Sequence, residues 1–274
     1  MEKLENKDSC IMSFSSINEL VDIAEKSEKI SQIVDAKKWV YSENIECDTR
    51  EKSFALLRAG RGLSSIRKLS RKYRQELENS DLSEIIHTTK SIKRTRRFND
   101  FDGNLDFDRV MVGNPDYWEK IKRDGDAKIV RIGINYALAN TNTIHSFSRI
   151  VGLSAIFAEI LENLGYGVEI YGSSFYENDR KKPRTMRKQW LGCLFPVKLA
   201  NEPLDFDRIY SLGLPALLRD AEFHVEHHYY NEFGGFAYSP SPEVLSLTNI
   251  DVLVTKSWTN GKESEKIMQA IEKL

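Results

Sequence analysis

The stretch from Lys128 to Tyr171 constrains the fold of this chain more than any other. Lys128 to Asn135 (KIVRIGIN) is a short, β-branched run of the kind that forms a central strand. From Ser146 to Leu164 the residues Phe147, Ile150, Val151, Ile156, Phe157, Ile160, Leu161 and Leu164 are apolar on more than one side, which predicts a mostly buried helix. Gly165 then stands where a helix-ending glycine stands, and Val168 to Tyr171 resumes as a strand. A strand, helix and strand joined by short links close with a right-handed crossover, so the two strands pair in parallel. An α/β fold follows.

The flanking segments extend that unit. Trp190 to Leu199 reads as a further strand, open to antiparallel pairing because only an Arg- and Lys-rich loop (NDRKKPRTMRK) separates it from its predecessor. Leu204 to Tyr230 is mainly helical, Ile250 to Lys256 is a strand and Glu263 to Leu274 a closing helix, an order that predicts a sheet sandwiched between helices in three layers. Upstream, apolar residues at three- and four-residue steps predict a helix from Ile17 to Val40, capped by Asn18 or a preceding serine. A second helical stretch starts near Thr49, passes Phe54 and Leu57, and is interrupted by Gly60 and Gly62. A third runs from Leu63 to Leu77 with Ile66, Leu69, Tyr73 and Leu77 on one face and Arg67, Lys68, Arg71, Lys72 and Arg74 on the other. Ser91 to Gly103 (SIKRTRRFNDFDG) flips from basic to acidic and reads as a connector. The division expected is a helical, basic region over residues 1–103 and an α/β domain over 104–274.

This layout resembles von Willebrand factor A-like domains, where a buried first strand leads through a loop and a long apolar helix to a strand with an antiparallel neighbour. It is also similar to a group of phage and plasmid proteins with such a domain. The residues carrying that similarity are Gly113-Asn114-Pro115, the strand ending in Asn135, the polar loop Ala137 to Thr143, Gly165-Tyr166-Gly167-Val168-Glu169, and Pro215-Ala216-Leu217-Leu218-Arg219. The resemblance implies a Rossmannoid sheet over roughly residues 50–274. Metal-binding A domains end the first strand in Asp-x-Ser-x-Ser, because a hard divalent cation takes carboxylate and hydroxyl oxygens. Here Asn135, Ala137 and Ala139 stand at those positions. Thr141 and Thr143 offer oxygens, but no carboxylate lies between Lys128 and Ile144, so no metal is expected at this loop. The Asn135 amide is expected to fasten the loop instead.

Composition removes several classes of function. With 41% hydrophobic and 30% charged residues the chain is expected to fold, and no apolar run approaches the ~20 residues that span a bilayer. The first ten residues, MEKLENKDSC, lack the basic-then-apolar layout of a secretion signal, and Cys10, Cys47 and Cys193 are too scattered for bridges or a zinc motif; a cytoplasmic protein, in a host cell if phage-encoded, is the expectation. There is no P-loop, dinucleotide fingerprint or nucleophile elbow, and no cofactor is expected. The dense group His224, Glu226, His227 and His228, and the pairs Asp100/Asp102, Asp106/Asp108 and Asp205/Asp207, offer ligands for a metal-dependent nuclease, but polar helix ends and turns collect the same residues.

Charge is the better lead. The net charge of −1 hides a segment, residues 58–97, with twelve Lys/Arg against four Asp/Glu, an excess of +8. Phosphate attraction supplies most non-specific nucleic-acid affinity, and aromatics stack on unpaired bases. The expected contacts are Arg67, Arg71, Lys72, Lys93, Arg94, Arg96, Arg97, Lys181 and Arg184, with Phe98 and Trp190 as stacking positions. The expectation is a non-enzymatic phage or mobile-element accessory protein that binds single-stranded nucleic acid and a protein partner, such as a transcription or replication cofactor. The alternatives are a metal-dependent nuclease or hydrolase and an assembly adaptor that never meets nucleic acid.

Overall fold

Asn6 turns the chain back on itself at the outset: its Oδ1 accepts the Asp8 N–H at 2.9 Å, and its own N–H donates to Ser9 O at 3.1 Å. The computed structural model describes residues 1–27, 50–60, 64–80, 82–83, 85–86, 96–99, 104–105, 111, 118–121, 128–137, 144–177, 190–214, 217–230 and 240–274. Around that turn, β1 (Glu2–Glu5) and β2 (Ser9–Ser13) form an antiparallel hairpin. Helix α1 (Ile17–Lys26) follows, with Ser16 Oγ accepting the Glu19 N–H and the Glu19 carboxylate accepting the Ser15 N–H. The remainder of the helix expected as far as Val40 lies outside the described residues. Helices α2 (Arg50–Ala59) and α3 (Ser64–Glu78) come next. Strands β3 (Arg96–Asn99), β4 (Asn104–Leu105) and β5 (Trp118–Ile121) make a small antiparallel sheet in the order β3-β5-β4.

The strand–helix–strand unit is β6 (Ile129–Asn135), α4 (Ile144–Asn163) and β7 (Gly167–Glu177), with β6 and β7 parallel. Gly165, at φ +94°, ends α4: its N–H donates to Glu162 O and the Tyr166 N–H to Leu161 O, a hydrogen-bond pair that requires a left-handed residue between them. Strand β8 (Trp190–Lys198) returns antiparallel to β7. The segment expected to be mainly helical resolves into α5 (Phe206–Tyr210), a 3₁₀ turn (Ser211–Gly213), a π-helical turn (Leu217–Glu222) and α6 (Phe223–Tyr230). Helix α7 (Pro242–Leu245), β9 (Val252–Val254) parallel to β6, and α8 (Glu263–Lys273) complete the chain.

The main sheet is six-stranded and mixed, in the order β1-β2-β8-β7-β6-β9. Two features differ from the sequence reading. The amino-terminal region is not helical throughout, because the hairpin joins the main sheet through parallel pairing of β2 with β8. Met12, Leu20, Phe54 and Ile66 accordingly share one core with Ile132, Phe157 and Phe195. The second difference is the layering. Among the described residues, the large helices lie over one face of the sheet, stacked two deep, with α4 on the strands and α3 over α4. The opposite face carries a smaller cluster of Ile11, Phe175, Leu194 and Val244 of α7. Helix α4 is apolar on more than one side because it has sheet below and α3 above. Gly152 makes that stacking close: a Cβ there would lie 3.0 Å from Ser70 O of α3.

Candidate functional site

The carboxyl ends of parallel strands are where open α/β sheets bind ligands. Strand β6 ends there at Asn135, which is buried and uses its Oδ1 to accept the Ala137 N–H at 3.0 Å. The side-chain oxygen thereby holds the chain, and Ala137 is buried as well. Ala139, Thr141 and Thr143 lie outside the described residues.

Around Tyr136, the residue after β6, the structure assembles polar groups from four elements. Ser174 of β7 and Cys193 of β8 are paired in register, so they share the face turned toward α6. Tyr136 extends past the end of β6. The π-helical turn delivers Glu222, and Glu226 follows one turn later on the same side of α6. Glu222 Oε1 accepts from the Tyr136 hydroxyl and from Ser174 Oγ at 2.9 Å, while Ser174 Oγ accepts the Cys193 N–H at 3.2 Å. Tyr136, Ser174, Cys193, Glu222 and Glu226 are all buried. Glu222 Oε2 is buried without a hydrogen-bond partner among the described residues. Burial pushes the Glu222 carboxyl up to about 8, against the opposing pull of its hydrogen bonds from Tyr136, Ser174 and the Cys193 thiol. Burial, and after it the charge of Glu222, also pushes the Tyr136 phenol and the Cys193 thiol well above their ordinary values. Cys193 Sγ and the nearest oxygens of Glu222 and Glu226 all lie within 4.8 Å of one another, the one such group of potential metal ligands among the described residues.

Sequence reasoning singled out Glu226 but passed over Glu222, Cys193, Tyr136 and Ser174. Its only available signal was the four-residue spacing of Glu222 and Glu226 beside the apolar Ala221 and Val225. The histidines do not converge on one point: His224 is buried, His227 half-buried, and His228 exposed with its ring edge-on to Tyr229 at 4.9 Å. Asp205 caps α5 by accepting the N–H groups of Asp207 and Arg208. Asp100, Asp102, Asp106 and Asp108 lie outside the described residues.

The basic positions divide. Arg67 and Arg71 converge on the Asp207 carboxylate, at 3.6 and 2.5 Å, and Lys72 is exposed beside Glu76 at 3.8 Å. Arg74 pairs with Glu159 of α4 at 2.7 Å and with Glu78 at 3.0 Å, its guanidinium 3.9 Å above the Phe206 ring. Much of the basic face of α3 is therefore turned onto α4 and α5. Arg96, Arg97 and Phe98 lie on β3, in a strand where the sequence suggested a connector. Trp190 is half-buried against the Ile11, Phe175 and Leu194 cluster. Lys93, Arg94, Lys181 and Arg184 lie outside the described residues. No helix among the described residues is long and apolar enough to cross a membrane.

Residues 2–272 match the family model described as a domain of unknown function, DUF7192, and the chain belongs to that family. No curated protein and no solved structure matches the chain.

Proposed function

For this member of a family without an assigned activity, we propose a non-enzymatic accessory role of the phage or mobile-element kind, as in a transcription or replication cofactor. The α/β domain holds a protein partner, and the basic segments contact single-stranded nucleic acid. The observation that carries this reading is the register of the small sheet. Arg97 is directly opposite Lys120, and the neighbouring pairs are Phe98 with Glu119 and Asn99 with Trp118. Like charges at directly opposed positions destabilise a strand pair, and a polyanion laid across them replaces repulsion with attraction. Aromatic positions interleaved with basic ones suit unpaired bases.

Two further elements of the reading rest on particular features. The von Willebrand factor A-like assignment is supported by the succession of buried β6, apolar α4, parallel β7 and antiparallel β8. A cytoplasmic location is supported by Cys10 and Cys193, which are buried and not joined in a disulfide, the state a reducing compartment maintains.

The test is binding of the full chain to labelled single-stranded DNA and RNA across a salt series. Affinity is expected to fall steeply with salt, and each neutralised phosphate contact to flatten the log–log slope by roughly 0.7. Alanine at Phe98 is expected to cost about 1–3 kcal/mol of binding with little change in slope. If the wild-type chain fails to bind at low ionic strength, or binds no better than a variant with Lys93, Arg94, Arg96 and Arg97 all changed to alanine, the adaptor reading without nucleic acid replaces this one.

A further inference from the structure

We propose that Cys193, Glu222 and Glu226 form a buried site for a borderline divalent metal ion, Zn²⁺ being the ion their chemistry favours. The site is separate from the Asn135 loop and independent of whether the chain binds nucleic acid. Three observations converge on it. The donor atoms belong to a strand and to two successive turns of helix, yet lie within 4.8 Å of one another. All three residues are fully buried, so solvent does not screen them from each other. Glu222 Oε2, enclosed in the core, accepts no hydrogen bond from any described residue, whereas Oε1 accepts two. A buried oxygen without a hydrogen bond, on a carboxyl grouped with a thiol and a second carboxyl, is satisfied by a cation at their common centre.

The donor set selects the ion. Magnesium and calcium take shells of oxygen alone, whereas thiolate sulfur with carboxylate oxygen suits zinc and its neighbours in the transition series. Zinc bonds are about 2.3 Å to sulfur and 2.0–2.2 Å to carboxylate oxygen, which puts tetrahedral neighbours about 3.5 Å apart. The side chains therefore close inward by roughly 1 Å on binding, a movement within the reach of two glutamates. The thiol ligates as thiolate, giving up its proton. A fourth position is left for water or for the Tyr136 hydroxyl, which already touches Glu222. The irregular backbone has a role here, since the π-helical turn Leu217–Glu222 ends on the ligand it turns inward. With metal bound, β8 is tied to the start of α6, and because the site is enclosed the ion is taken up as the chain folds.

The experiment is refolding of the full chain with Zn²⁺, or with Co²⁺ as a spectroscopic probe, followed by desalting and elemental analysis. The expected result is about one metal ion per folded chain, with a near-ultraviolet thiolate-to-cobalt charge-transfer band. Cys193→Ser is expected to lose the band and Cys10→Ala to keep it. Glu222→Gln preserves an acceptor for Tyr136 and Ser174, so it tests the ligand charge in a chain that still folds, and is expected to lower bound metal at least tenfold. The proposal is overturned if folded wild-type chain retains less than about a tenth of an equivalent, or if the cobalt band survives in Cys193→Ser. It also fails if wild-type metal disappears in Cys10→Ala. Should the Cys193 variant not fold, the wild-type stoichiometry together with the Cys10→Ala band decides.

Discussion

Replacing Lys198 with methionine is expected to be among the most damaging single changes in this chain. Lys198 closes β8 with only 3% of its side chain exposed, and its Nζ lies 2.9 Å from Oε1 of Glu162, itself 11% exposed, near the end of α4. Two of the three ammonium protons are given to the carbonyls of Val168 at 2.8 Å and Leu199 at 3.1 Å, and the contact with Glu162 Oε1, which has no hydrogen-bond geometry, is one of charge. A cation at this point also complements the carboxyl end of α4. Methionine keeps the unbranched apolar stem, one atom shorter, and removes the charge and all three donors. The Glu162 carboxylate then loses this counter-ion in a nearly dry environment, and the Val168 carbonyl loses its donor. Breaking a buried ion pair on one side costs about 3–5 kcal/mol, a large share of the ~5–15 kcal/mol that holds a typical domain together. With a urea m-value near 3 kcal/mol per M, the midpoint falls by roughly 1–1.7 M. Removing both charges, in Lys198→Met with Glu162→Leu, is expected to recover most of that loss, because desolvation of the pair disappears with it. A single variant within ~1 kcal/mol of wild type, or a double variant no more stable than the single, refutes the reasoning.

Phe157→Ala is expected to cost about 3–5 kcal/mol in urea or thermal unfolding, since Phe157 is fully buried on α4 with its ring centroid 5.7 Å from that of Trp258; a change below ~0.5 kcal/mol contradicts the two-deep helix packing. Gly192→Ala is expected to lower the melting temperature more than an alanine on an exposed strand does. The new Cβ would lie 2.2 Å from Ser174 O on the paired strand, and overpacking of this kind costs about 1–3 kcal/mol or more. An unchanged melting temperature would mean that β7 and β8 are not joined in this register.

The α/β class was legible from residues 128–171 because local sequence spacing dictates local structure. β-Branched residues in β6, unbroken apolar periodicity in α4 and a terminal glycine each act over a few residues, and the short links leave one handedness of closure. The hairpin β1–β2 escaped notice because β1 is polar and β2 only five residues long, and what stabilises β2 is its pairing with β8, far away in sequence. The layering escaped for a related reason. An apolar helix announces that it is buried on several sides but not by what, and only packing shows α3 covering α4. The basic residues of α3 read as a free face because their partners, Asp207 and Glu159, lie on other elements. Cys193, Glu222 and Tyr136 carry no motif. Their meeting is set by strand register and by one π-helical turn, and burial, joined at the thiol by the charge of Glu222, converts an ordinary carboxyl and thiol into groups that need a proton or a cation. Composition and periodicity thus determine which segments form strands and helices, while the identity of each side chain's neighbours, and with it every perturbed charge, is decided only when those segments pack.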